Sequence, residues 1–445
     1  MKKNIDLLNG PVLMSLTRLA IPIMATSLIQ MAYNLTDMIW IGRIGSNAVA
    51  AVGAAGMFMW LSNGLASLPK MGGQVNAGYS LGAGRSDDAA GYSLSALLLS
   101  ALFGLAFGLV CAVFASPLIG FFKLNSPSVI ADAESYLKIT CGLVVFSFLN
   151  QTFTGIFTAI GNSRAAFLAT TTGLAVNIFL DPVLIFGFGP IPATGVTGAA
   201  IATVGAQLIV TLMFLYFAAK DEVIFRKMNI RRKPDMHYSA AIMRIGLPTS
   251  VQSMMFTGIS MIIARMIAGY GDAAVAVQKV GSQIESISWM TAEGFAAAVN
   301  SFIAQNYGAG NRTRIRKGYT CAMGVVFVWG IVCTLLLMLC PGPIFRIFIT
   351  EAAVLPLGID YLVILGVSQL FMSAEITTAG AFSGYGKTIP PSVISIVFTV
   401  LRIPLALVLC RTPLALNGIW WSITISSILK GVLLLAWFLH FLRKE

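Results

Sequence analysis

The segment TSLIQMAYNLTD, residues 26–37, lies within the first long apolar stretch of the chain and carries polar side chains that a lipid-facing helix would lack. Helical spacing places five of them on one face: Thr26, Gln30, Tyr33, Asn34 and Asp37. An ionised Asp well inside a bilayer costs about 2.5 to 3.5 kcal/mol on insertion scales, so such residues face a bundle interior or a water-filled cavity. The polar face around Asp37 therefore predicts an ion or substrate path.

The composition predicts a membrane protein. Hydrophobic residues make up 57% of the 445 residues and charged residues only 10%, with a mean hydropathy of +0.85. This leaves too little polar surface to cover a soluble globule, so the lipid bilayer is the expected surrounding. The six cysteines lie within or at the ends of apolar runs and form no CxxC pair. They favour packing roles over a disulfide framework or a metal site, and we expect no cofactor.

Twelve apolar segments are each long enough to cross a hydrocarbon core of about 30 Å as an α-helix. They predict an all-α polytopic fold with six transmembrane helices in each half of the chain. The segments lie near residues 13–40, 48–72, 91–115, 134–157, 164–188, 195–219, 243–268, 274–303, 318–340, 356–384, 389–410 and 415–440.

The two halves repeat in sequence. A shift of 226 residues matches Arg18–Pro22 to Arg244–Pro248, and the Gly-Ala-Gly turn at 82–84 to that at 308–310. Equivalent helices are six spans apart, an even number, so both halves have the same orientation in the membrane. This predicts two six-helix bundles related by pseudo-twofold symmetry, with alternating access by rocking. The predicted domains are an N-terminal bundle, 1–219, a cytoplasmic basic linker, 220–238, and a C-terminal bundle, 239–445.

The basic residues predict the orientation. The linker holds Lys220, Arg226, Lys227, Arg231, Arg232 and Lys233. If the linker is cytoplasmic, its side also receives most other basic residues, in accordance with the positive-inside rule, and the opposite side keeps Arg43, Lys123, Lys138, Arg265, Lys279, Arg346 and Arg411. We therefore expect a multi-pass protein of the plasma (inner) membrane with both termini in the cytoplasm. The net charge of +12 follows from this topology, so no nucleic-acid partner is expected.

Four motifs carry a family resemblance. They are YNLTDMIWIGRIG at 33–45, NIFLDP at 177–182, QIE at 283–285 and QNYGAG at 305–310. In this order, and over nearly the whole chain, the sequence resembles the multidrug and toxin extrusion (MATE) family, and within it the DinF-like prokaryotic branch. The NorM-like branch carries an acidic coupling residue in the seventh helix, whereas residues 245–268 contain no carboxylate.

The resemblance implies export of cationic amphipathic compounds in exchange for inward H+ or Na+, with Asp37, Asn177 and Asp181 as the cation-coupling residues. Asn177 and Asp181 project from one helix face, and Pro182 deprives the carbonyl of residue 178 of its intrahelical donor. These carboxylate, amide and carbonyl oxygens suit Na+. Two neighbouring carboxylates in a low dielectric also repel each other, so the pair can instead carry a proton. A purely structural role, in which Asp181 binds backbone groups, is the alternative.

Further side chains are candidates for substrate binding. Together with Asp37 they are Gln30, Tyr33, Asn34, Tyr136, Asn150, Met254, Gln283 and Glu285. Pro22 lies within the first helix and acts either as a packing kink or as a hinge. Glu375 can pair with Lys387 or Arg402 inside the second bundle, and the role of Glu293 is open.

The sequence fits two other functions less well. An enzyme is not expected, because the only histidines, His237 and His440, lie in the linker and the tail and provide no buried base. A lipid-linked oligosaccharide flippase is the main alternative, but it needs several Arg or Lys residues to hold phosphates. The inner helices offer mainly Lys70, Arg265 and Lys279, near their ends. The cleft lies between halves of one polypeptide, so we expect a functional monomer with small organic cations as substrates.

Overall fold

The structure, a computed structural model, describes residues 5–122, 126–190, 192–228, 235–348, 351 and 354–444. Within these ranges four side chains are not described, those of Asn34, Leu35, Ser46 and Asp272. The predicted site residue Asn34 and the predicted linker residues Arg231, Arg232 and Lys233 therefore lie outside the described part.

The described residues of the first half form α-helices, because a segment in a bilayer must satisfy its backbone N–H and C=O groups internally. They are α1 (Val12–Ile44), α2 (Ser46–Gly82), α3 (Ser86–Val113), α4 (Ala115–Gly120), α5 (Pro127–Thr140), α6 (Val145–Ala159), α7 (Ser163–Phe186) and α8 (Gly195–Ala219). Local chemistry fixes some of their starts. The Asn162 side chain accepts a hydrogen bond from the N–H of Ala165 and so caps α7.

The second half repeats this order of elements. Its helices are α9 (Met236–Ala268), α10 (Asp272–Gly308), α11 (Arg312–Leu339), α12 (Pro341–Arg346), α13 (Leu355–Gly366), α14 (Gln369–Gly384), α15 (Ile389–Val400), α16 (Arg402–Leu409) and α17 (Leu416–Lys444). Helices α2 and α10 both have 37 residues, α3 and α11 both have 28, and α4 and α12 both have 6. Each of these pairs begins 226 positions apart, so the structure confirms the internal repeat.

The described helices account for the predicted spans. Nine stretches are long and apolar enough to cross a membrane, and two bent helix pairs each pass as one further span. The remaining predicted span, 274–303, lies inside α10, whose 37 residues are ample for a crossing but include many polar side chains. The predicted all-α polytopic class is confirmed.

The two bent pairs replace the continuous helices predicted over 134–157 and 356–384. Helices α5 and α6 meet at 45°, and helices α13 and α14 meet at 46°. No proline lies in either break. At the second break, the Ser368 hydroxyl and the Gln369 amide both donate to the carbonyl of Leu365, at 2.9 and 3.0 Å. These bonds satisfy a backbone carbonyl at the end of α13. The bend therefore leaves that acceptor with hydrogen-bond partners.

The chain divides into two compact units. Unit 1 contains Met1–Ile5 and Ile21–Ser250, and unit 2 contains Asp6–Ala20 and Val251–Glu445. The chain therefore passes between the units three times, after Ile5, after Ala20 within α1 and after Ser250 within α9. The predicted domains, 1–219 and 239–445, describe sequence halves, and they differ from these units at residues 6–20 and 239–250.

One apolar cluster of unit 1 positions the candidate site. Ile41, one turn beyond Asp37 in α1, and Ile185, one turn beyond Asp181 in α7, are both buried in it. Tyr136 of α5 belongs to the same cluster. Burial of these side chains holds three helices together and brings their polar residues to one place.

Candidate functional site

Helix α7 supplies two polar residues in the interior of unit 1. Asn177 is 1% exposed and Asp181 is 0% exposed. They lie one turn apart, and the Asn177 amide donates from Nδ2 to Oδ1 of Asp181 at 3.2 Å. A buried carboxylate and amide on one helix face form the base of the site.

Helix α1 adds a second carboxylate. The side chain of Asp37 lies near that of Asp181, so the two carboxyl groups interact electrostatically. Three oxygen atoms of this cluster are buried without a hydrogen-bond partner among the described residues, namely Asp37 Oδ1, Asp181 Oδ2 and Asn177 Oδ1. Buried polar atoms are nearly always satisfied, so three unsatisfied oxygens together are an arrangement that a cation or a proton would stabilise.

Two phenols line the same cluster. Tyr33 and Tyr136 both lie within the electrostatic field of Asp37 and Asp181. The Tyr33 hydroxyl is 3.4 Å from Oγ1 of Thr203 in α8. Sequence reasoning did not single out Thr203, because it is one hydroxyl in a strongly apolar helix. The hydroxyl groups give the carboxylates polar neighbours that carry no charge.

Two other predicted substrate-binding residues of unit 1, Gln30 and Asn150, have different surroundings from Tyr33 and Tyr136. Gln30 of α1 is exposed. Asn150 of α6 is 7% exposed, and its amide nitrogen lies 2.8 Å from Oε1 of Gln207 and 2.9 Å from the Gln207 carbonyl. Its carbonyl oxygen accepts from Thr211 at 2.8 Å. Asn150 therefore joins α6 to α8 through satisfied hydrogen bonds, and its role in substrate binding stays a prediction.

The predicted residues of unit 2 belong to its own interior or surface. Met254 is exposed, and Gln283 is partly exposed. Glu285 accepts a hydrogen bond from the Tyr361 hydroxyl. Glu375 forms its ion pair with Lys430 at 3.0 Å, a partner that sequence reasoning did not name beside Lys387 and Arg402.

Pro22 lies inside α1, close to the point where the chain passes from unit 2 to unit 1. Proline has no N–H, so the carbonyl of Arg18 lacks its usual helical donor. The Pro22 carbonyl itself accepts from the Thr26 hydroxyl at 2.8 Å. Pro248 occupies the corresponding place in α9, close to the passage from unit 1 to unit 2 after Ser250.

A polytopic helical fold with unsatisfied carboxylate oxygens deep in one helical unit defines a membrane transporter, because intramembrane carboxylates mark solute and ion paths. The sequence profile of the MatE family matches residues 22–183 and 248–408, one segment in each half. The chain belongs to the MatE family, the multidrug and toxin extrusion transporters, which are not enzymes.

Individual relatives cover nearly the whole chain. It is 27% identical over 432 residues to a probable multidrug resistance protein NorM of Thermotoga maritima, covering 95% of this chain and 91% of the relative. It is 24% identical over 440 residues to a FAD transporter of Shewanella oneidensis, covering 97% and 95%. A solved structure of a multidrug resistance MATE family transporter of the MOP superfamily, in its outward-facing conformation, matches with a TM-score of 0.92 at 24% identity, over 100% of both chains. This last likeness shows the fold, and the DinF-like branch stays a prediction.

Proposed function

We propose that this protein is a cation-coupled antiporter that exports cationic amphipathic drugs or metabolites by alternating access, in exchange for inward H+ or Na+. The carrying observation is the cluster of Asp37, Asn177 and Asp181, whose three unsatisfied buried oxygens lie in unit 1. The names of the relatives support export over the flippase alternative. The proposed site residues for coupling are these three.

Competition between the coupling cation and the organic cation for one negatively charged site is sufficient for antiport. A cation that enters from outside moves down the membrane potential by about 2.3 kcal/mol per charge per 100 mV. Its binding neutralises a carboxylate that would otherwise hold an organic cation. If the two ligands favour different facing states, each expels the other without any further coupling device.

Both ions fit the chemistry of the cluster. A proton shared between Asp37 and Asp181 removes the repulsion between two carboxylates. Na+ would take oxygen ligands from Oδ1 of Asp37, Oδ2 of Asp181 and Oδ1 of Asn177, which have no hydrogen-bond partner among the described residues. Tyr33, Tyr136 and Asp37 are the proposed substrate contacts nearest to the coupling residues. The other members of the proposed set are Gln30, Asn34, Asn150, Met254, Gln283 and Glu285.

The remaining features of the proposal concern the whole molecule. We place both termini and the basic linker in the cytoplasm of the plasma (inner) membrane, as the distribution of Lys and Arg favours. The protein functions as a monomer, because one chain supplies both halves of the repeat. Dominant inhibition of wild type by a co-expressed inactive variant would contradict the monomer.

Transport in proteoliposomes tests the proposal. Purified protein is reconstituted and loaded with a fluorescent organic cation, and a pH gradient or a Na+ gradient is imposed separately. We expect one gradient to drive dye efflux, and an anionic dye of similar size to remain inside. Equal efflux with neither gradient imposed, or efflux of the anionic dye alone, would overturn the proposal.

A further inference from the structure

The segment just before α1, residues 6–10, is fixed to the rest of unit 2 through its backbone. Leu7 is 1% exposed, and its carbonyl accepts hydrogen bonds from Nδ2 of Asn306 and from Nε of Arg314, both at 3.1 Å. The guanidinium of Arg314 also donates from Nη2 to the carbonyl of Gly10. Carbonyl oxygens orient a guanidinium but do not neutralise its charge. The starts of α1 and α11 therefore meet around a fixed positive charge.

A cavity of about 610 Å³ lies between these two helix starts. Its walls are residues 8–12 on one side and Asn311, Thr313, Arg314 and Lys317 on the other. All of these residues belong to unit 2. Asparagine and threonine side chains can donate hydrogen bonds, so the two cations of the cavity have neutral donors beside them.

The walls of the cavity carry positive charge. Arg314 and Lys317 form no ion pair with a carboxylate among the described residues. Asp6 lies near Arg314, but its Oδ1 accepts the N–H groups of Leu8 and Asn9, each at 2.9 Å. It offsets one of the two positive charges, and none of the described lining residues is acidic. Cations with neighbouring hydrogen-bond donors are what a bound phosphate group requires.

The internal repeat provides a comparison for this cavity within the same chain. A shift of 226 residues leads from its walls to the starts of α3 and α9 in unit 1. The corresponding pairs are Val12 and Tyr238, Thr313 and Asp87, Arg314 and Asp88, and Lys317 and Gly91. The two cations of unit 2 thus stand where unit 1 has a carboxylate and a glycine, and a valine stands where unit 1 has a tyrosine.

In unit 1 the equivalent place is filled. The Tyr238 ring lies against Gly91, where an added Cβ would be 2.5 Å from the ring carbon Cε2. The Tyr238 hydroxyl donates to Oδ1 of Asp88 at 3.1 Å. Asp87 pairs with Lys227 at 3.2 Å. Because the same helix starts leave a filled, acidic place in unit 1, the open, basic cavity of unit 2 is due to its own side chains and not to the fold.

The cavity lies where the lipid-facing surface of α1 begins. Leu13 and Met14, which directly follow Val12, are 51% and 48% exposed. A phospholipid can therefore place its headgroup in the cavity and its acyl chains along the start of α1. This end of α1 corresponds to the start of α9, which follows the basic linker and which we place at the cytoplasmic face. Anionic lipids of that leaflet attract Lys and Arg residues next to spanning helices.

We propose that this cavity binds the phosphate headgroup of an anionic phospholipid, which Arg314 and Lys317 contact. The acyl chains of the lipid lie beside Leu13 and Met14. Arg314 is held in place by two backbone carbonyls, so its charge is oriented before the lipid arrives. The site lies in unit 2 and does not depend on the proposed coupling role of Asp37.

Native mass spectrometry of the detergent-solubilised full-length protein tests this inference, because it counts bound lipids and yields a Kd. Phosphatidylglycerol is compared with phosphatidylcholine of the same acyl chains, and soluble glycerol phosphate provides the headgroup without the chains. We expect one phosphatidylglycerol to bind more tightly than phosphatidylcholine, and glycerol phosphate to bind more weakly than either. Lys317→Gln should weaken phosphatidylglycerol binding about fivefold, which corresponds to about 1 kcal/mol for one basic residue.

Two further variants complete the experiment. Arg443 is exposed and lies at the same end of unit 2, since the carbonyl of the preceding Leu442 accepts from Arg316 at 2.8 Å. It does not line the cavity, so Arg443→Gln should bind phosphatidylglycerol as wild type does. Val12→Tyr introduces the ring that unit 1 has at the corresponding position. It should fill the cavity and reduce the affinity for phosphatidylglycerol to that for phosphatidylcholine.

Three results would overturn the inference. They are equal affinity of the wild type for the two lipids, equal weakening by Arg443→Gln and Lys317→Gln, and unchanged phosphatidylglycerol binding by folded Val12→Tyr protein. Binding of glycerol phosphate as tight as that of phosphatidylglycerol would overturn the lipid as the source of the phosphate. If Val12→Tyr does not fold, the comparison of Lys317→Gln with Arg443→Gln decides, since both residues carry exposed side chains.

Discussion

Asn177 donates a hydrogen bond from its amide to Oδ1 of Asp181, one turn along α7, at 3.2 Å. The bond orients the Asp181 carboxylate and leaves its Oδ2 free, so that this oxygen can turn to Asp37 or to a bound cation. The amide oxygen of Asn177 is also free. This one contact therefore fixes a carboxylate without using up the oxygens that an ion would need.

The first prediction concerns the two carboxylates. Asp37→Asn keeps the shape of the side chain and removes its titratable charge. We expect it to abolish gradient-driven efflux of a cationic dye while the protein still inserts and folds, with Asp181→Asn impaired similarly or less. Efflux from proteoliposomes under each gradient provides the measurement, after size-exclusion chromatography has verified folding.

A carboxylate away from the site serves as the control. Asp360 of α13 is exposed and accepts a hydrogen bond from Asn417 at 3.1 Å. Asp360→Asn should transport as wild type does. Wild-type efflux by folded Asp37→Asn protein under the same gradient would refute the coupling role of Asp37.

The hydrogen bonds of Asn150 allow a structural role to be tested against its proposed role in substrate binding. Asn150→Leu leaves Oε1 of Gln207 without the donor that lies 2.8 Å away, and an unsatisfied buried acceptor costs about 1–3 kcal/mol. We expect a lower Tm, and a purely structural role further predicts unchanged selectivity among cationic dyes in the folded fraction. Gln151 lies beside Asn150 in α6 and donates an exposed hydrogen bond to Asn63 of α2. Gln151→Leu should therefore change stability by less than about 0.5 kcal/mol. A changed dye preference of Asn150→Leu at full stability would instead support substrate contact.

The charged part of the site can be predicted from the sequence, whereas its neutral part cannot. Asp37 and Asp181 stand out because a carboxylate in a membrane span is costly. Thr203 does not stand out, because a hydroxyl can bond within its own helix, and here it donates to the Ala199 carbonyl at 3.0 Å. Which helix face meets which neighbour depends on packing, so the approach of Tyr33 to Thr203 is visible only in the fold.

The same limit applies to the bends and the ion pairs. The breaks at 141–144 and 367–368 contain no proline. The apolar pattern continues through them, so nothing in the sequence indicates a bend. Sequence offered Lys387 and Arg402 as partners for Glu375, but α17 places Lys430 closer. By contrast, the ends of α2 and α10 are marked in the sequence, by Gly45 and Gly271 before them and by the Gly-Ala-Gly turns at 82–84 and 308–310, although the apolar segments 48–72 and 274–303 are shorter than the helices.

A glycine in α9 should be irreplaceable. A Cβ added at Gly246 would lie 2.1 Å from the carbonyl oxygen of Leu68, a backbone atom that cannot move aside. We expect Gly246→Ala to lower Tm or to prevent folding. A Cβ added at Gly324 of α11 would have no other atom within 4 Å. Gly324→Ala should therefore leave stability unchanged or raise it by up to about 1 kcal/mol. Equal melting of the two variants would show that the contact of Gly246 with Leu68 relaxes freely.

Pro22 in α1 acts either as a hinge or as a packing kink, and replacing it distinguishes the two roles. Pro22→Ala restores an N–H that can bond the carbonyl of Arg18, and proline inside a helix costs about 3 kcal/mol relative to alanine. We therefore expect Pro22→Ala to raise the Tm of the protein. If α1 bends during the cycle beside the passage between the two units, the same variant should also slow dye efflux, because the straight helix becomes more stable than the bent one. Pro248→Ala provides the matched control at the corresponding place in α9. A variant Pro22→Ala that melts higher and still exports dye at the wild-type rate would identify Pro22 as a packing kink.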